Sequence, residues 1–547
     1  MNDILLRPGA SGVVRKILRI LLWVAAGVLL FSLYTWGISQ NPRGFHLDES
    51  ATAYNAYLVS RTAAGEFGPH FPLLFQQFAV SNATYMNPLA IYLMAIVFRL
   101  VPPSIPAARM SAAFWMFSAC LLLGVLAKRI SGQRKIGIIV AGSALLTPWL
   151  FELGRLVFDA HLSAFTVIVF LLAAYRIQSK EIWNWRDIAV VAGGLALVTY
   201  GYFAGRMLAP LFALGLLFFA TKWRRLLGVM ETWLAYAVTL VPLILFNRSH
   251  PGVLTKRAYE VSYIKLGVPW NQMKETAYEF VRRYLEDQSL TTLLMIGDYH
   301  PRHHVQGSGG PILFATFVLA MVGLGLIIIH RWRDPWWRFI VYGLAVSILP
   351  GAITNEPFHE VRLMAYPVFL LVLTIPALEW LLASNARNPV INGRGGSPSG
   401  PPRAFHDTAR PAVAPYQSPG SSSRPIRVSI LALLVVGTVA QAIDFQITFW
   451  RKGPDRVNEF DILYKPAYDA AVAQPQRPIY LEDGQWGPAY MNAYWYATVE
   501  GRAISEFVRL PAGARPPSGA IVLSSNSECQ NCQAIQKSGC YLLYRTK

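Results

Sequence analysis

The apolar stretch PLAIYLMAIVFRLV, residues 88–101, decides how this chain is threaded. It runs for 14 residues, carries Arg99, and is bracketed by Pro88 and Pro102. A hydrocarbon core about 30 Å thick needs roughly 20 apolar residues per helix. Longer or comparable runs begin near Ile17, Met110, Ile136, His161, Ile188, Met207, Leu226, Ile312, Phe339, Leu363 and Val428, those at Ile136, Met207 and Phe339 being short. Between them lie basic clusters: Arg15/Lys16/Arg19, Lys128/Arg129/Arg134/Lys135, Arg176/Lys180/Arg186, Lys222/Arg224/Arg225, Arg331/Arg333/Arg338, and the arginines from Arg387 to Arg427. Cytoplasmic loops carry the excess of Lys and Arg. If residues 88–101 do not cross, every cluster falls on the cytoplasmic side. If they cross, the first cluster opposes all the others. The sequence therefore reads as a polytopic α-helical membrane protein of eleven spans, its N-terminus cytoplasmic and its C-terminus outside. Residues 88–101 form a re-entrant or interfacial helix.

Composition agrees. Of 547 residues, 54% are hydrophobic and 14% charged, whereas soluble domains carry about 25% charged residues. The formal net charge of +19 does not indicate nucleic acid, because the basic residues sit in short clusters beside apolar runs. The first apolar run is too long for the core of a signal peptide, and no small-x-small site follows it, so it reads as an uncleaved span. Residues 1–383 make the membrane domain. Residues 384–427, rich in Gly, Pro, Ser and Arg, read as a disordered cytoplasmic linker. Residues 428–446 are the last span. Residues 447–547 recover strand-like patterns in RPIYLED, GAIVLSS and CYLLYRT and read as a small extracytoplasmic α/β domain. In an oxidising compartment two of Cys529, Cys532 and Cys540 pair, leaving one thiol. A zinc site is the alternative, weakened by having three cysteines and no nearby histidine. Cys120 is a small core residue in an apolar run.

The outside segments hold the chemistry. The first begins FHLDESATAYNAYLVSRT, residues 45–62, with His46, Asp48, Glu49 and Tyr54. It reads as an amphipathic helix lying on the membrane surface. Its paired acids either cap that helix or supply a catalytic carboxylate. Later turns offer Glu152, Arg155, Asp159 and His161; Tyr200, Tyr202 and Arg206; Asp298, His300, Arg302, His303 and His304; and Glu356, His359, Glu360 and Arg362. Arg109 opens the second span on this side. Any one such residue is ordinarily an anchor or a snorkelling side chain. Four of the five outside turns, however, supply an acid with an arginine or aromatic partner, and the remaining one supplies Tyr200, Tyr202 and Arg206. Converging, they make an acidic centre ringed by guanidinium groups, suited to a phosphate-bearing substrate and a group to be deprotonated. The HPRHH run at 300–304 is a candidate for a divalent metal, but adjacent histidines define no geometry. Phosphate contact by Arg302 and His303 is the stronger reading, and no cofactor is certain.

The ordered set of motifs resembles the GT-C glycosyltransferases, nearest the branch of protein O-mannosyltransferases and the lipid A aminoarabinose transferase. The resemblance rests on F-x-x-D-E at 45–49, the proline-led helix before Arg109, TPWLFELGRLVFDAH, YGYFAGRMLAP, PRHHVQGSGGP and EPFHEVRLMAYP, and covers residues 15 to about 383. It implies a membrane enzyme that takes a sugar from a polyprenyl-phosphate carrier and transfers it, with inversion, to a lipid, glycan or protein acceptor outside the cytoplasm. It implies Asp48 as base, Glu49 as its orienting partner and Asp159 as the second acid. Arg109, Arg155, Arg206, Arg302, His303 and Arg362 are implied to hold the leaving phosphate, and His46, Tyr54, Tyr200, Tyr202, Glu356 and His359 to contact substrate. The chain departs from the pattern in having Asn87-Pro88 where the family has Pro-Pro, and in a C-terminal domain unlike the family's carbohydrate-binding module. Competing readings are a glycan polymerase or ligase, a transporter or flippase, and a membrane scaffold.

Overall fold

The computed structural model describes residues 8–79, 84–264, 272–383, 424–484, 487–488, 490–511, 514–529 and 532–547. Residues 384–423 of the expected linker lie outside these. The chain opens with α1 (Pro8–Tyr34), then α2 (Leu47–Thr62), a hairpin of β1 (Phe75–Gln76) and β2 (Tyr85–Met86), and α3 (Pro88–Leu100). Next come α4 (Ile105–Ser131), α5 (Arg134–Leu146), the short α6 (Pro148–Gly154), α7 (His161–Ile177), α8 (Trp185–Gly201), α9 (Gly205–Gly215) and α10 (Trp223–Ser249). An outer segment holds α11 (Val253–Val261) and α12 (Met273–Glu286). After it follow α13 (Phe314–Leu326), α14 (Pro335–Ser347), α15 (Leu349–Ala352), α16 (Tyr366–Leu382) and α17 (Arg424–Lys452). The C-terminal domain runs α18 (Tyr464–Val472), β3 (Ile479–Glu482), α19 (Tyr490–Glu500), β4 (Phe507–Leu510), β5 (Ile521–Ser524), β6 (Cys532–Ser538) and β7 (Tyr541–Thr546).

A helix stands at each of the eleven expected positions. Among the described residues five of them are long and apolar enough to cross a membrane alone, or six if the bent pair α5–α6 counts as one span. The chain is thus a multi-pass membrane protein, and its number of crossings is not fixed by helix length. Surface chemistry agrees: α1, α10 and α17 expose rows of Leu, Val and Ile that only lipid would cover without cost.

Both ends of α3 are tied to neighbouring segments. Asn87 at its start bonds Asp159, and Arg99 in its last turn donates to the carbonyl of Ser60 at the end of α2. Thirteen residues span about 20 Å, short of the hydrocarbon core. By length alone it is too short to cross unaided. Three of the basic segments meet one another: Tyr175 donates to Arg129 O, Arg225 to Ser179 O, and Lys222 pairs with Glu181.

Two expectations need correction. The helix α2 is not an exposed amphipathic helix. Its residues Glu49 to Ala56 are buried, packed between α3 and α19 in one core with the C-terminal sheet. Phe45 stacks on Trp495 at 5.3 Å, and Tyr54 meets Tyr494 at 5.7 Å. Its short run of small and apolar residues is satisfied by protein rather than lipid. The last membrane helix also starts earlier and ends later than 428–446, because Arg424–Arg427 and Ile447–Lys452 continue its turns.

The C-terminal sheet has the order β4-β3-β5-β7-β6, with β3 parallel to β4 and β5 and the remaining pairs antiparallel. The three strand-like sequence stretches supply β3, β5 and β7. Cys529 and Cys532 are disulfide-bonded, and Cys540 is free.

Candidate active site

A cavity of about 490 Å³ opens between the outer loops. Its walls come from helix ends and from the loops beside them. Asp48 sits in the first turn of α2, whose cap is reciprocal: His46 Nδ1 accepts from Asp48 N–H, and Glu49 accepts from His46 N–H at 3.0 Å. Such a box satisfies two orphan donors of the first turn. The two readings of the paired acids thus divide between them. Glu49 caps, while Asp48 faces the cavity. Asp48 Oδ1 accepts from Gln77 Nε2 at 2.7 Å, and Gln77 is oriented by the Thr84 hydroxyl at 2.8 Å. On its other side Asp48 Oδ2 lies 4.0 Å from Arg302 Nη1.

A second line of contacts crosses the floor. Asn87, the residue before the proline that opens α3, donates to Asp159 Oδ2 at 3.0 Å and accepts from Arg206 Nη2 at 2.8 Å. Burial raises the pKa of Asp159 first, and the charge of Asp48 adds to this. The Asn87 bonds and Arg206 only partly offset the rise. Arg206 stands in the first turn of α9. That turn can form only because residue 205 is glycine, since a Cβ there would collide with Val198 O in α8.

The third wall is histidine-rich. His300, His303 and His359 pack ring to ring at 4.6–5.8 Å. Arg362 Nη2 pairs with Glu356 at 2.7 Å and its Nη1 bonds Thr354 at 2.9 Å. Burial pushes His359 well below the usual imidazole pKa, and neighbouring positive groups add to this. Burial also lowers His303, only partly countered by Asp298. Burial works against charge on Asp298, yet bonds from His303 and from the N–H groups of His300 and Glu360 outweigh it and hold its carboxylate low. One ligand atom each from Asp298, His303 and His359 fall within 4.8 Å of one another. This set fits a divalent cation in residue type, with both imidazoles neutral. As described, His303 Nδ1 and Asp298 Oδ2 are 2.9 Å apart, a hydrogen-bond separation. A cation would take the place of the shared proton.

Of the sequence-derived candidates, Asp48, Asp159, Tyr202, Arg206, Arg302, His303, Glu356, His359 and Arg362 line the cavity. His46 stands just behind it, with Nε2 2.7 Å from Arg302 Nη1. Five others are not brought there. Arg109 and Glu49 form a fully buried pair at 2.7 Å, and Arg109 also donates to the carbonyls of Ile38, Pro42 and Gly44. Arg155 spends its donors on Tyr34 O and Trp36 O at the end of α1. Tyr54 is in the shared core, and Tyr200 ties α8 to Thr239 O in α10 at 2.7 Å. Gln77, Thr84, Asn87 and Arg257 line the cavity without having been singled out. Asn87 had a signal, since it stands where the family pattern has a proline. The others had none, because no spacing rule ties a glutamine in a hairpin to an acid 29 residues earlier.

No protein-family model matches the sequence, and no curated protein does. Solved structures match in fold. ArnT from Cupriavidus metallidurans, bound to undecaprenyl phosphate, superposes with a TM-score of 0.57 at 11% identity, over 96% of this chain and 97% of that one. Its apo form gives 0.55 at 13% identity, over 96% and 98%. The archaeal oligosaccharyltransferase AglB from Archaeoglobus fulgidus gives 0.47 at 13% identity, over 90% of this chain and 64% of AglB. The chain thus shares the fold of ArnT.

Proposed function

We propose that this chain is a membrane glycosyltransferase that moves a sugar from a polyprenyl-phosphate carrier to an acceptor hydroxyl on the extracytoplasmic face, with inversion. One observation carries the reading: a single cavity holds an acid pair, Asp48 and Asp159, together with Arg206, Arg302 and Arg362. The ArnT fold and its bound lipid phosphate support it. Asp48 is the base. Gln77 occupies one carboxylate oxygen, leaving the other to accept the acceptor's proton as the oxygen attacks the anomeric carbon. The bond to the phosphate breaks as the new glycosidic bond forms, and the departing phosphate gathers charge that Arg302, Arg206 and Arg362 offset in a low-dielectric pocket. Asp159, readier than an ordinary aspartate to keep a proton, positions Arg206 through Asn87. A divalent cation at Asp298, His303 and His359 would add positive charge beside Arg302 and fix that loop.

A cavity of about 490 Å³ is at the smaller end of ligand sites, which favours a single sugar over a glycan chain. The cavity's ionisable groups stand on loops and helix ends rather than mid-span, which disfavours a transporter. The test gives purified protein a labelled polyprenyl-phosphate sugar and compares wild type with Asp48→Asn. Loss of sugar release in the variant, with donor still bound, is expected. Equal release would remove Asp48 as base, and no release by wild type from any lipid-linked sugar would remove the proposal.

A further inference from the structure

The outer helix α12, MKETAYEFVRRYLE, has three faces rather than two. With 3.6 residues per turn, Phe280 and Tyr284 lie within roughly 40° of each other. They pack on the membrane core, and Tyr284 donates to Ala345 O near the outer end of α14 at 3.0 Å. Roughly a third of a turn further round come Tyr278, Val281 and Leu285. They are 71%, 54% and 62% exposed. Beyond them Glu275, Glu279, Arg282 and Glu286 form the charged face. The last three are joined by ion pairs, Arg282 reaching Glu279 and Glu286 at 2.5 Å each, so this face needs no partner.

We infer that the Tyr278–Val281–Leu285 face is a membrane-surface contact, seated in the acyl region of the outer leaflet beside the cavity. Three observations select lipid over a protein partner. The helix is fastened by Tyr284 to a carbonyl two residues from the end of α14, an apolar helix of the membrane core. Its apolar stripe lies between the protein-packed face and the water-facing ion pairs, the order an interfacial helix shows. Leu290 and Met295, next along the chain, are also exposed, at 56% and 70%. The helix α11, whose Leu254, Arg257 and Ala258 line the cavity, precedes α12 in this outer segment.

The test needs no sugar donor and is independent of the proposed reaction. Full-length protein carrying Cys540→Ser receives Val281→Cys, Leu285→Cys or, as the water-facing control, Glu275→Cys. Each is labelled with a nitrobenzoxadiazole probe and placed in phosphatidylethanolamine–phosphatidylglycerol nanodiscs. Probes at 281 and 285 should be quenched by doxyl-labelled lipid and severalfold less by iodide than the probe at 275. Equal iodide quenching at all three positions would overturn the inference. So would shielding of 281 and 285 from both quenchers, which would mean that protein covers the face.

Discussion

At the residue scale the cavity separates groups that act from groups that hold. Asp48 and Glu49 are adjacent, yet one faces the cavity and the other is sealed against Arg109 with no exposure. Breaking a buried ion pair by removing one partner costs about 3–5 kcal/mol. Arg109→Met should therefore lower the melting temperature and the yield of folded protein, read by thermal unfolding in detergent. Arg206→Ala should instead weaken donor binding while leaving the melting temperature nearly unchanged. Asp48→Asn should cut turnover roughly 10²–10⁴-fold, the range for a positioned general base, with donor affinity retained. Asn87→Ala removes a bond to each of Asp159 and Arg206. At about 1 kcal/mol per hydrogen bond, it should weaken donor binding by roughly tenfold or more, measured by titration with the lipid phosphate.

The element that presents Arg302 is the loop from Asp298 to Gly310, and it is pinned from behind. His304 Nδ1 lies 2.9 Å from Glu152 and 3.8 Å from Glu360. Val305 N–H donates to Glu152 at 3.0 Å. Burial of His304 opposes its charge, but Glu152 and Glu360 outweigh it and lift its pKa from 6.5 to about 9. A histidine raised on folding stabilises fully below its unfolded pKa and loses that contribution as pH rises through the folded value. The loop should accordingly loosen between about pH 6.5 and 9. Thermal unfolding across that window should show wild type losing stability that His304→Gln, which carries no such charge, does not lose. A flat difference between the two proteins would contradict the ion-pair account.

At the scale of the whole molecule the C-terminal domain is part of the site's frame. Asp461, far downstream, accepts from Leu47 N–H at 2.9 Å and so caps the helix that carries Asp48. Its other oxygen takes the Tyr541 hydroxyl at 2.5 Å. Gly44, at φ +80°, lets the chain entering α2 press against Phe460 O, where a Cβ would collide. Arg456 reaches Pro301 O at 3.0 Å and lies 3.6 Å from Glu152. Losing a cap costs about 1 kcal/mol. Asp461→Ala should thus lower stability by that order and depress turnover through Asp48, with donor affinity held. Turnover equal to wild type would mean that the cap does not position the base.

Sequence by itself determined the membrane class, the eleven helix positions and the three strand stretches of the terminal domain. It did so because hydrocarbon and water impose their demands locally, on runs of about 20 residues and on the charges beside them. It also singled out most of the cavity's charged residues, since charged groups at outer turns are few. Only the tertiary structure decided which arginines face the cavity. Arg109 and Arg155 are indistinguishable from Arg206 in the sequence, and what separates them is the set of carbonyls and carboxylates that folding brings to each. The same holds for α2, whose buried side was fixed by α3 and by α19, more than 400 residues away. A buried charge is stable only where its partners converge, and convergence belongs to the fold.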